Sequence, residues 1–99
     1  MIRHTVMWRL NATTPSEKNS DFTTIAAALE PLLGVIPGLT SLAVTPDLGA
    51  QDSNFDVILV TEHESAEALE VYQSHPAHLA AGAIVKAHVS ERACVDIAG

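Results

Sequence analysis

The chain has 99 residues, 47% of them hydrophobic and 17% charged, which supports one packed core (a single domain over 1–99) and excludes disorder. Five Lys and Arg against twelve Asp and Glu give a net charge of −7, and no basic run offers phosphates a footprint, so nucleic acid is excluded as a partner. The single Cys94 cannot close an intramolecular disulfide, and no apolar stretch approaches the roughly 20 residues of a membrane span. With no signal-peptide core at Met1–Leu10, the expectation is a cytoplasmic protein with no membrane partner.

Residues 2–10 alternate. Ile2, His4, Val6, Trp8 and Leu10 share one face and Arg3, Thr5, Met7 and Arg9 the other, the period of a strand. Thr14, followed by Pro15 and Glu17, predicts a helix N-cap with a capping box. Phe22, Ile25, Ala26, Leu29, Leu32 and Leu33 keep helical spacing, so a helix is expected over roughly 15–33, kinked or ended early at Pro31. After Gly34 and Pro37-Gly38, strands are predicted over 39–46 and 55–62, joined by the polar segment Gly49–Asn54. Ser65 caps a second helix bearing Leu69 and Tyr72. His75-Pro76 breaks it, and Pro76 opens a short further helix to about Gly82. Residues 88–97 alternate again as a final strand.

The order is that of an α+β, ferredoxin-like βαββαβ fold, an antiparallel four-stranded sheet with two helices on one face. Met7, Ile58 and Val60 fall on the helix-free face. Such an apolar face needs cover, and a second copy of the same sheet is the simplest, so a homodimer is expected.

Chemistry, if any, rests on histidine. If the Trp8 face lies under the helices, His4 points toward Tyr72 and His78 in a mostly apolar cleft suited to a small molecule. A histidine titrating near neutrality and a tyrosine hydroxyl form an acid–base pair able to act on a carbonyl compound. The same residues also have a purely structural reading. His4 would be a core histidine bonded to the backbone, His78 a helix-start residue, and Tyr72 a core aromatic with a wet tip. His75 and His78, three apart, could hold a metal with His4 as third ligand, but no nearby Cys or acidic residue completes the set and no metal is assigned. His63, between Glu62 and Glu64, reads as a solvated strand end. His88 is uninformative, and Cys94 reads as inert packing without a basic neighbour.

Several landmarks in order resemble the stress-responsive A/B barrel (Dabb) family. They are Met1–Leu10, Ile36-Pro37-Gly38-Leu39, Phe55-Asp56, Glu64–Tyr72 and above all Tyr72-Gln73-Ser74-His75-Pro76-Ala77-His78. The resemblance implies a dimeric α+β barrel of two sheets packed by their helix-free faces. Many members of the family have no assigned activity. A plant member closes a linear polyketide by aldol condensation without a cofactor, which implies no cofactor here. It also implies His78 as general base, Tyr72 as the group that orients the substrate oxygen and His4 as a supporting polar contact; Trp8, Val57 and His75 are expected as further ligand contacts. Val57 stands where that plant member has a further pocket histidine, so the pocket is expected to be more apolar there. Two functions remain open: a ligand-binding or structural homodimer, and a cofactor-free cyclase or lyase acting on a polyketide-like carbonyl compound. A haem- or quinol-oxidising role ranks behind both, because the sequence offers no convincing proximal haem ligand.

Overall fold

A computed structural model describes residues 1–99. Its elements are β1 (Ile2–Leu10), α1 (Pro15–Leu29), a 3-10 turn (Glu30–Leu32), β2 (Leu39–Pro46), β3 (Val57–His63), α2 (Ala66–Ser74), α3 (Pro76–Lys86) and β4 (Val89–Ala98). The strands form one antiparallel sheet in the order β2-β3-β1-β4, with the helices over one face. This is the expected βαββαβ arrangement, with the second helix divided in two.

The local signals act as their chemistry demands. The Thr14 hydroxyl accepts from the Glu17 N–H at the start of α1, and the Glu17 carboxylate accepts from that hydroxyl in turn. α1 stops at Leu29, because Pro31 has no N–H to continue the ladder, and a 3-10 turn replaces the last helical turn. Ser65 accepts from the Ala68 N–H at the start of α2. Ahead of Pro76 the chain must be extended, and His75 is (φ −64°, ψ 136°), which separates α2 from α3. α3 then runs four residues past Gly82, to Lys86, because nothing in Ala83–Lys86 breaks a helix. Gly38 has φ +83°, and a Cβ there would come within 2.6 Å of the Ala68 Cβ, so the turn before β2 requires glycine.

Val6, Trp8 and Leu10 of β1 and Val57 and Leu59 of β3 form the core with Ile25 and Leu29 of α1, Leu69 and Tyr72 of α2, and Ala81 and Val85 of α3. Burial of these apolar side chains, at about 25 cal/mol per Å², is the main favourable contribution to folding. The opposite face has no helix over it. Met7, Val95 and Ile97 are exposed there, beside half-buried Ile58 and Val60. β1 and β4 pair along nearly their full length, from Ile2 opposite Ala98 to Leu10 opposite Val89, and the Gly99 N–H closes onto the Met1 carbonyl at 3.0 Å.

Candidate functional site

Strand alternation places His4 on the helix-covered face of β1, and Thr61 and His63 on the same face of β3, where all three are buried. Tyr72 descends onto them from α2, and His78 follows from the first turn of α3. The Tyr72 ring centroid lies 4.8 Å from that of His63, 4.4 Å from that of His78 and 6.1 Å from that of His4. A pocket of about 490 Å³ opens between α3 and the β1–β4 edge of the sheet. His4, Tyr72 and His78 border it with apolar Val6, Trp8, Leu29, Leu59 and Val85, and Lys86, Ser90, Glu91 and Arg92 line its outer wall.

Hydrogen-bond partners fix the tautomers. The Gln73 carbonyl can only accept, so His78 carries its proton on Nδ1 (3.2 Å), leaving the Nε2 lone pair free. His4 likewise presents Nδ1–H to the Asp96 carboxylate at 2.5 Å. His63 Nε2 pairs with the Thr61 hydroxyl at 2.8 Å, while its Nδ1 has no partner. The Tyr72 hydroxyl is also buried and unpartnered. An orphaned buried hydroxyl or ring nitrogen costs about 1–3 kcal/mol, so the site holds two polar groups that folding alone does not satisfy.

Burial also sets the titrations. The Tyr72 phenol is pushed up to about 12 by loss of solvent, so it stays protonated and acts as a donor. Burial lowers the pKa of His63, with the neighbouring His4 adding to the effect and Asp96 opposing it. Burial likewise lowers that of His78, only partly opposed by the bond to Gln73. Both rings are therefore neutral at pH 7 and can accept a proton.

Two of the expected ligand contacts lie elsewhere. Val57 is core, opposite Trp8 in the β1–β3 register; Trp8 pairs with Arg92 on its other side and so separates Val57 from the pocket. The His75 side chain caps α3, its Nδ1 accepting from the Ala77 N–H at 3.0 Å, and it does not border the pocket. Three further readings need correction. His63 is not solvated but fully buried: counting by two from Val57 through Leu59 and Thr61 puts it on the inner face, and its charged neighbours Glu62 and Glu64 concealed that. Cys94 does have a basic neighbour, its Sγ lying 3.5 Å from His4 Nδ1, although burial and Asp96 raise the thiol pKa and keep it neutral. Finally, a Cys and an acidic residue do stand beside His4. The donor atoms of His4, Cys94 and Asp96 lie within 4.8 Å of one another, a juxtaposition across β1 and β4 that sequence spacing does not reveal.

Comparisons with known proteins agree with this architecture. A dimeric ferredoxin-like protein of unknown function from Thermobifida fusca is 32% identical, covers 98% of this chain and 89% of its own, and superposes with a TM-score of 0.81. A dimeric protein of unknown function from Bacteroides fragilis is 26% identical over 97% of this chain and 93% of its own, with a TM-score of 0.84. The hydroxynitrile lyase of Passiflora edulis shares the fold at 15% identity, 97% and 90% coverage and a TM-score of 0.77. No curated protein matches the chain. Residues 2–98 match the Stress responsive A/B Barrel Domain, and the chain belongs to that family.

Proposed function

We propose that this chain works as a homodimer that binds a small organic ligand in the cleft between α3 and the β1–β4 edge of the sheet. The observation that carries the reading is the pocket of about 490 Å³, mostly apolar but with His4, Tyr72 and His78 converging on it, the usual form of a small-molecule site. Trp8, the only tryptophan, lies in its wall and reports occupancy by fluorescence. Gly82 supplies the test. It borders the pocket within α3, and a Cβ built there meets no atom within 4 Å. Gly82→Leu should therefore leave the fold intact and place a side chain in the cleft. It is expected to abolish the Trp8 response to small aromatic compounds that the parent chain binds. An undiminished response would rule out this cleft.

The dimer is supported by the exposed apolar face around Met7, Ile58, Val60, Val95 and Ile97, and by the dimeric state of the Thermobifida and Bacteroides relatives. Ile58→Asp would put a charge into that contact and should yield monomer or unfolded chain in sedimentation. A parent chain that sediments as a folded monomer would end the dimer reading.

A second reading, cofactor-free proton transfer on a carbonyl compound, is favoured by the unpartnered Tyr72 hydroxyl among neutral imidazoles. His78 Nε2 would take a proton from the carbon beside the carbonyl, and the Tyr72 hydroxyl would donate to the oxygen where charge develops. His78→Ala should abolish turnover of a polyketide-like substrate in a chain that still folds and dimerises. Turnover that survives in that variant excludes His78 as the base.

A further inference from the structure

The five Lys and Arg side chains are not spread evenly over this acidic chain. Three of them are spent on carboxylates: Arg3 faces Glu62 at 4.0 Å, Lys18 faces Asp56 at 3.0 Å, and Arg9 pairs with Glu91. The other two, Lys86 and Arg92, have no carboxylate partner, although the chain offers twelve. Both line the same pocket. Lys86 comes from the last turn of α3. Arg92 comes from β4, on the same strand face as Cys94 and Asp96, and it pairs with Trp8 across the sheet. The one acidic residue in the outer wall, Glu91, is the one already bound to Arg9. A cleft with an apolar interior thus ends in two uncompensated positive charges, on a molecule whose net charge is −7.

We propose that the cleft takes an amphipathic organic anion, an aromatic or alicyclic carboxylate whose ring lies against Trp8 and Val85 and whose carboxylate meets Lys86 and Arg92. This rests on the reading of the cleft as a ligand site and names the class of ligand. Two physical features favour an anion. The acidic surface repels anions everywhere else, so a local positive mouth gives selectivity rather than general stickiness. Arg92 can also hold a carboxylate with two parallel hydrogen bonds, which an amide or alcohol cannot match. The site orders the ligand with its anionic end outward and its ring toward His78 and Tyr72.

The test compares 1-naphthoate with 1-naphthamide, which share ring and size and differ in charge, by calorimetry at low salt with Trp8 emission as the reporter of location. Naphthoate should bind about 5- to 10-fold more tightly, as two partly exposed charge contacts allow, and the gap should shrink at about 0.5 M salt. Lys86→Gln and Arg92→Gln should each remove part of the preference. The double variant should remove all of it, bringing naphthoate affinity down to that of naphthamide in the same variant. Equal binding of the two probes with a Trp8 response would overturn the anion assignment and leave the cleft standing as a ligand site. A naphthoate preference that survives in the double variant would also overturn it. Absence of any Trp8 response to either probe would overturn both.

Discussion

The helix-covered face of the sheet changes chemistry along its length. At the end bearing Trp8, Leu10 and Val57, the strands join an apolar cluster with Ile25, Leu29 and Leu32 and contribute no fully buried polar side chain. At the other end, His4, Thr61 and His63 are the only buried polar side chains in the chain, with the sealed Tyr72 hydroxyl above them. The apolar burial at the first end is accounted for by folding, since it stabilises the chain. The second end withdraws three polar side chains and a phenol from water and leaves two of their atoms unbonded, a cost without a structural return. Function concentrates where a sequence departs from what stability alone would select.

That contrast can be broken by mutation. The largest effect is expected at the apolar end, where Leu29→Ala should cost about 2–5 kcal/mol in denaturant unfolding. A loss well under 1 kcal/mol would mean that the apolar cluster does not anchor the fold. At the polar end, Thr61→Val removes the only partner of His63 and keeps the shape, so it should cost about 1–3 kcal/mol. A neutral result would show that water or a rearranged ring satisfies His63.

Acid should separate the ends next. His63 and His78 have pKa values below the ordinary 6.5, so the unfolded chain binds protons more readily than the folded one. The stability this provides is complete above pH 6.5 and is lost as pH falls through the lowered folded values. The melting temperature should fall on acidification from pH 7.5 to pH 5, and His63→Gln should flatten part of that slope. An unchanged slope would mean that His63 is not the group responsible. The smallest effect is the most pointed. Tyr72→Phe deletes a hydroxyl that has no partner, so it should be neutral or stabilising by up to about 1 kcal/mol while weakening any ligand contact made by that oxygen. A clear loss of stability would mean that the hydroxyl is satisfied after all.

Much of the fold was legible in the sequence because its signals are local. Alternation over residues 2–10, the Thr14 and Ser65 caps, and the breaks at Pro31 and Pro76 each act within a few residues, and each appears in the structure. The length of α3 past Gly82 was not legible, because a helical glycine only weakens a helix and packing of Val85 outweighs it. The site was legible in part. His4, Tyr72 and His78 were placed near one another by strand face and helical turn. His63 is hidden because flanking glutamates suggest solvent, although the period of β3 fixes its face. Asp96 and Cys94 reach His4 only through the pairing of β1 with β4, a register that no local pattern encodes. Val57 is pointed to by the family resemblance alone, and its neighbour Trp8 stands between it and the pocket.

The pairing of the first strand with the last has a consequence for how the protein is made. His4 and Asp96 touch across a separation of 92 positions, among the most distant contacts a chain of this length can make. Contacts of such high sequence separation tend to form late, since the loop-closure entropy they cost falls once the intervening elements have folded. On the ribosome, His4 emerges early and waits for β4. The helices and the β2–β3 pair can assemble meanwhile, but the cleft lacks its β4 wall until Val89–Arg92 are released. A chain stopped before β4 would expose the edge of β1, an open strand inviting aggregation.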